Sequence, residues 1–321
     1  MQPISSRNRF DPEYAAEVSR RIIENVSKII VGKVDVIKHI LVTLYSGGHV
    51  LLEGVPGVAK TLIAKTIARS IVLTYSRIQA TPDLLPSDII GTMIFDPRIN
   101  DFKPRKGPIF ANIVLFDEIN RASPRTQSAL LEAMQEKQVT IEGVTFKLPS
   151  PFMVIATMNP IEIEGTFPLS EAQVDRFLSK IIIGYPSVDE TVEILERYYD
   201  IVREEDVEPV LSPDEILEII DTAKKIRADK NVLKYIALIV EATRSHKMVR
   251  LGASPRGAIA LLLLARGIAL VRGRDYITPD DIKYVAHAAL RHRIMLTGEA
   301  MITGLTPDKI IDFILERVEV P

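Results

Sequence analysis

No cysteine occurs in the 321 residues. Disulfides, thiolate nucleophiles and cysteine-based metal sites are thereby excluded. Long apolar runs are also missing: the longest is eight residues, Ala258 to Ala265. That is far short of a membrane span, which needs about 20. The opening residues, MQPISSRNRFDPEYA, carry no apolar segment of a secretory leader. No excess charge of one sign exists, with Lys plus Arg at 40 against Asp plus Glu at 42. Bulk attraction to nucleic acid or anionic membrane is therefore absent, although a local patch is not excluded. The five histidines form no metal-ligand constellation. His287 and His292 stand five apart and share a helical face poorly.

What is present is ordinary globular composition, 47% hydrophobic and 26% charged. It supports a sizeable buried core and about two domains. Residues 11–30 open with Asp11-Pro12, a good N-cap followed by proline at the first helical position. Tyr14, Val18, Ile22, Val26 and Ile29 then recur at helical spacing. From residue 49 to 184, short runs rich in β-branched residues alternate with helical stretches. The runs are HVLLE (49–53), IVLTYSRI (71–78), NIVLF (112–116), FMVIATM (152–158) and KIIIG (180–184). Strands apolar on both faces belong to a parallel sheet covered by helices, an α/β layered fold. Beyond Pro186 no strand-like run follows. Capping signals recur at Ser187, Ser212, Thr278 and Thr306, so residues 187–321 read as five or six helices.

Chemistry concentrates at Gly54–Thr61, GVPGVAKT, between an apolar strand and the helical stretch LIAKTIARS. That strand–loop–helix context is the one a phosphate loop requires. Glycines let backbone N–H groups converge on one point, and the helix that begins there adds its positive end. Gly54, Val55, Pro56, Gly57, Val58 and Ala59 would form the cradle, with Lys60, Thr61 and Leu62 opening the helix. Lys60 places a point charge on the β- and γ-phosphates, and the Thr61 hydroxyl is positioned for Mg²⁺. Ala59 stands where glycine is usual; alanine serves if that position needs no positive φ.

A second buried run ends in Asp117-Glu118, a carboxylate pair at the C-terminal end of a strand, where open α/β sheets bind ligands. Asp117 would hold Mg²⁺ directly or through water, and Glu118 would orient the attacking water. A third run ends in Asn159, whose amide can bind the γ-phosphate or orient water. Arg176 lies in SEAQVDRF (170–177), on a helix capped by Ser170. Arg256 lies in GASPRG (252–257), at a helix start, and reaches the nucleotide only if the helical half folds over it. The segment Ile30-Val31-Gly32 suits packing of a flat base and equally suits a helix-ending turn.

The ordered set GVPGVAKT, VLFDE, TMNP, DRF and SPR resembles the AAA+ ATPases. More narrowly the chain resembles the MoxR family over essentially its whole length. The narrower cues are LLEGVPGVAKT, RIQATPDLLPSDIIG (77–91), KGPIFANIVLFDEINRA (106–122), EGTFPLSEAQVDRF (164–177) and GASPRG. Within that family Ala59 is no departure. The resemblance implies a P-loop AAA+ core at 1–186 and a smaller all-helical lid at 187–321. It implies ATP and Mg²⁺ as ligands, with Lys60 and Thr61 in Walker A, Asp117 and Glu118 in Walker B, and Asn159 as sensor 1. Arg176 matches the arginine finger that acts on a neighbouring subunit, Arg256 matches sensor 2 acting from the lid of its own subunit, and Arg121 is a second interface arginine. Residues 91–108 match the hairpin inserted in helix 2, and 139–149 the pre-sensor-1 hairpin. Each either faces substrate or shields the core.

The implied activity is ATP hydrolysis in a cytoplasmic ring, a hexamer, that remodels or matures a protein partner. The implied partner is a von Willebrand factor A-domain protein, with metal or cofactor insertion as one form of that maturation. Two other classes share parts of the pattern. A nucleic-acid motor would use Lys103, Arg105 and Lys106 on the inserted hairpin, but near-neutral total charge and the lack of a DNA-binding module oppose it. A magnesium-chelatase-like subunit would share the ATPase core.

Overall fold

The computed structural model describes residues 11–160, 165–197 and 207–321. The first ten residues, read above for a leader, and Glu164 lie outside the described residues. Helix α1 (Pro12–Ser27) starts where Asp11 accepts from the Glu13 N–H at 3.0 Å. Helix α2 (Val34–Tyr45) follows, then β1 (Val50–Gly54), α3 (Lys60–Ser70) and β2 (Tyr75–Gln79). The last strand begins later than the apolar run at 71 indicates. Ile71 and Val72 end α3, Val72 takes φ +54°, and Leu73 N–H bonds back to Ala68 O at 2.9 Å. Those apolar side chains serve a turn rather than a strand.

Helix α4 (Pro86–Ile90) leads into an antiparallel hairpin of β3 (Gly91–Asp96) and β4 (Asp101–Lys106). Strand β5 (Ile113–Asp117) and helix α5 (Pro124–Glu136) precede a second hairpin, β6 (Gln138–Ile141) with β7 (Val144–Lys147). Its turn residues Glu142 and Gly143 both have positive φ, the two-residue reversal that twists with its strands. Strand β8 (Met153–Met158), the short helix α6 (Glu171–Val174) and β9 (Ser179–Ile183) complete this half.

Five of these strands form one parallel sheet in the order β2-β5-β8-β1-β9. Side chains alternate between two apolar layers. Val50, Leu52, Ile113, Leu115, Met153 and Ile155 face α1, α2 and α3. Leu51, Val114, Phe116 and Val154 face α5 and the β6–β7 side. Burial on both faces explains why these strands lack polar alternation.

Seven helices follow Pro186 among the described residues, more than five or six: α7 (Val188–Glu196), α8 (Pro213–Lys225), α9 (Lys230–Ser245), α10 (Pro255–Val271), α11 (Pro279–Leu290), α12 (Gly298–Ile302) and α13 (Pro307–Arg317). Ser187, Ser212 and Thr278 form capping boxes with Glu190, Glu215 and Asp281. A small antiparallel ribbon, β10 (Val249–Leu251) with β11 (Met295–Leu296), also occurs in this half and corrects the reading of it as free of strands. Both pieces are too short to leave a pattern in sequence.

Helix α7 lies beside the phosphate-loop end of the sheet, whereas α10 and α11 dock elsewhere. Helix α10 packs on α1 and α2, and α11 packs on the edge strand β9, in one continuous apolar cluster. Gly267 permits the closest approach. A Cβ there would lie 2.9 Å from both Val42 O and Ser46 Oγ.

Candidate functional site

The phosphate-loop residues leave the C-terminal end of β1 and enter α3. Gly57 has φ +82° with open space where a Cβ would stand. Ala59 is left-handed too, at φ +61°, so the position before Lys60 does require a positive φ. That conformation costs an L-residue about 1–2 kcal/mol, which is why glycine is usual there. The turn is held because Ala59 O accepts the Ile63 N–H at 2.9 Å, starting the helix. Lys60 Nζ donates to Gly54 O at 2.7 Å, bridging the two ends of the loop. Thr61 follows on the first turn of α3.

Asp117 ends β5, two strands from β1, and is 9% exposed. Its carboxylate accepts the Thr157 hydroxyl at 2.6 Å and pairs with the Arg77 guanidinium at 2.7 Å. Glu118 follows in a left-handed conformation, φ +59° and ψ +51°, which turns its side chain off the strand line. Its backbone N–H donates to Thr157 Oγ1 at 2.8 Å. Its carboxylate accepts from Gln79 Nε2 at 2.8 Å and from Arg121 Nη1 at 3.0 Å. Asn159 sits just past β8, 5% exposed, at the same end of the sheet. Thus Lys60, Thr61, Asp117, Glu118 and Asn159 all come from the C-terminal ends of three neighbouring strands.

Arg77, Gln79 and Thr157 escaped the sequence reading. The register explains them: Gln79 pairs with Asp117 and Arg77 with Leu115 across β2 and β5. The available signal was polar residues at alternate positions of a run otherwise read as buried strand.

The residues fit a divalent cation and a polyphosphate. Asp117 already holds a cation, the Arg77 guanidinium, and the loop curls with Lys60 beside it. No group of three or more His, Asp or Glu among the described residues forms a cage of its own. Mg²⁺ commonly takes one or two protein ligands and completes its shell with phosphate and water.

Beside the loop lies a cavity of about 270 Å³ lined by Ile30, Val31, Val58, Leu62, Pro186 and Ile194. It is largely apolar and of a size for a flat heterocycle. Gly32 lies between two of its lining residues, Val31 and Lys33. With φ +70°, an added Cβ would lie 2.0 Å from Glu190 Oε1. Glu190 is fixed by the Ser187 N–H at 2.8 Å and by Lys33 at 3.1 Å.

The two remaining arginines lie elsewhere. Arg176 follows α6 rather than lying on it, and Leu178 N–H then bonds His49 O at 2.9 Å, where β1 and β9 begin. Arg176 and Arg256 line one cavity with Gly48, His49 and Arg293, at the N-terminal edge of the sheet. The five residues of β1 separate that edge from the loop, about 16 Å at 3.3 Å per residue. Arg256 is therefore not brought to the phosphate loop of its own chain, against the expectation for sensor 2. The physical reason is the docking of α10 on α2 instead of over the strand ends. Arg121 sits with Glu118 at the opposite end.

His49 at this edge is 5% exposed. Nε2–H donates to Met134 O at 3.0 Å, and Nδ1 accepts from Val154 N–H at 2.9 Å. Burial pushes its pKa down to about 4. His292, beside Arg293, is driven well below the ordinary value by the same cause.

Residues 49–179 match the family described as "ATPase family associated with various cellular activities (AAA)", and 241–314 match the AAA lid domain. The chain is 47% identical to the uncharacterized protein YeaC of Bacillus subtilis, over 94% of each chain. It is 46% identical to the chaperone MoxR1 of Mycobacterium tuberculosis, over 96% of this chain and 84% of that one. A crystal structure from Cytophaga hutchinsonii, provisionally assigned as an ATPase, superposes with TM-score 0.90 at 43% identity, covering 97% of both chains.

Proposed function

The chain belongs to the MoxR-type AAA+ ATPases, and on that premise we propose that it hydrolyses ATP in a closed cytoplasmic ring of its own copies, a hexamer. The work of the ring is to remodel or mature a protein client, with a von Willebrand factor A-domain protein as the expected partner. The division falls at residue 186, with the helical half acting as the lid. One observation carries the ring: the phosphate-loop residues and the pair Arg176 and Arg256 occupy opposite ends of the same sheet. Arg176, on the segment that enters β9, cannot reach the loop of its own chain without breaking the sheet, and Arg256 lines the same cavity beside it.

Within one subunit, Lys60 exchanges its bond to Gly54 O for the phosphates. Glu118, steadied by Gln79 and Arg121, orients the attacking water. Asn159 aligns the same region from β8. Thr61 and Asp117 would hold Mg²⁺, which supplies charge neutralisation on the phosphate oxygens. Val31 and its neighbours pack the base, and Gly32 keeps that wall in place. Arg176, with Arg256 beside it, completes the site of the adjacent subunit. An arginine supplied in trans is worth about 10³–10⁵ in rate.

The test is complementation. Lys60→Ala and Arg176→Ala should each be nearly inactive. Mixed in equal amounts, about a quarter of head-to-tail interfaces join an intact loop to an intact arginine by random assortment. ATPase activity should return to that order. Mixed rings that form and stay inactive sink the assignment in trans.

A further inference from the structure

Arg293, just past α11, is 8% exposed and has no part in any motif read above. Its guanidinium is spent almost wholly on the segment that carries Arg176. Nε donates to Asp175 Oδ1 at 2.6 Å. Nη2 donates to Asp175 O at 3.0 Å and Phe177 O at 2.7 Å. Nη1 donates to Leu178 O at 3.2 Å and to Ala289 O on α11. The backbone on both sides of Arg176 is thus gripped by one side chain from the helical half. The second oxygen of Asp175 faces Arg256 Nη1 at 3.8 Å. Arg176 itself is exposed and lies past the end of α6, so no helix fixes its direction. His292 adds a further tie, its Nε2 to Phe177 O at 3.1 Å.

We propose that Arg293 is a positioning residue for trans catalysis: it clamps Asp175–Leu178 and, through Asp175, sets Arg176 and Arg256 as one unit against the neighbouring subunit's nucleotide. The inference rests on the trans reading above. A planar fork is required, because one side chain must serve four acceptors spread along four residues; lysine has the charge without the reach in that plane. Because Arg293 lies at the helical half's junction with β9, movement of that half shifts the arginine pair directly.

Arg293→Ala should lower kcat about 10²-fold, the scale for about 1 Å of misplacement of a catalytic group. ATP affinity, measured with a fluorescent analogue, should stay within about twofold, since the loop lies a strand length away. Mixing supplies the readout that a structural defect would not move. Arg293→Ala should recover activity with Lys60→Ala and gain nothing with Arg176→Ala. Arg293→Lys and Asp175→Asn, milder changes, should fall in the same complementation class should the alanine variant fail to assemble. Recovery of Lys60→Ala by Arg176→Ala but not by any of these variants overturns the inference and leaves the trans reading intact. Failure of that control mixture overturns the trans reading itself. Undiminished turnover of Arg293→Ala also refutes the clamp.

Discussion

Acid should destabilise this protein through His49, and the amount can be worked from its surroundings. Both ring nitrogens are committed in one neutral tautomer, Nε2 as donor to Met134 O and Nδ1 as acceptor from Val154 N–H. A second proton on Nδ1 would face the Val154 N–H and leave a charge buried at 5% exposure. The folded pKa is accordingly about 4, with burial as the main cause. In the unfolded chain histidine titrates near 6.5. Above pH 7 both states are neutral and His49 contributes no pH dependence. As pH falls below 6.5 the unfolded state binds a proton that the folded state refuses, so stability drops by up to about 1.4 kcal/mol per pH unit, and the loss levels off near pH 4. Between pH 8 and 5 the integrated loss is about 2 kcal/mol. At roughly 2 °C per kcal/mol for a large chain, Tm falls by about 4 °C from this group. Glutamine at position 49 keeps a donor and an acceptor but cannot titrate. The measurement is Tm from pH 8 to 5 for wild type and His49→Gln at fixed ionic strength. His39 and His292, also depressed by burial, are common to both proteins and cancel in the difference. The variant's slope should be shallower by about 4 °C over that range. Parallel curves would refute the reasoning.

Thr157 should matter beyond its size. Thr157→Val removes the donor to the Asp117 carboxylate, a bond worth about 1.5–3 kcal/mol, and the acceptor for the backbone N–H of Glu118, a neutral bond worth about 0.5–1.5 kcal/mol. Steady-state turnover at saturating Mg²⁺ should fall about tenfold or more, with Thr157→Ser recovering most of it; a valine variant at wild-type rate would dismiss the role. Gly32→Ala should weaken binding of a fluorescent adenine nucleotide several-fold, because the methyl displaces Glu190. Gly304→Ala provides the control, with the same positive φ and nothing within 4 Å of its Cβ. Equal effects of the two substitutions on affinity would show that backbone strain alone is responsible.

The parts legible in sequence are those whose cause is local. A glycine loop between an apolar run and a helix needs no distant partner to be recognised. The same holds for Asp117-Glu118 at the end of β5 and for the serine and threonine caps of the later helices. What was illegible depends on distant contacts. The run at 71–78 is apolar for two reasons, a helix-ending turn and then a strand, and composition cannot separate them. Arg77 and Gln79 gain meaning only from their register beside β5. The left-handed Ala59 reflects the loop's return into α3, which residue preference alone argues against.

Arg256 shows the same distinction with the largest consequence. Its sequence, Ser254-Pro255-Arg256 at a helix start, states which helix end it occupies but not which end of the sheet that helix meets. The answer lies in Gly267, about three turns further along α10, where the missing side chain lets the helix settle on Val42 and Ser46 of the α2 side. That contact fixes Arg256 beside Arg176 at the N-terminal edge. A chain with a phosphate loop at one end of a parallel sheet and its arginines at the other presents two unlike surfaces. Such surfaces complement each other only head to tail, and a head-to-tail contact repeated with a constant rotation either closes into a ring or runs on as a filament. A substitution at Gly267 larger than alanine should therefore disturb two things at once: the seating of α10 and the activity of the neighbouring subunit. Mixed with Lys60→Ala, such a variant should recover turnover, whereas a variant damaged in its own loop should not.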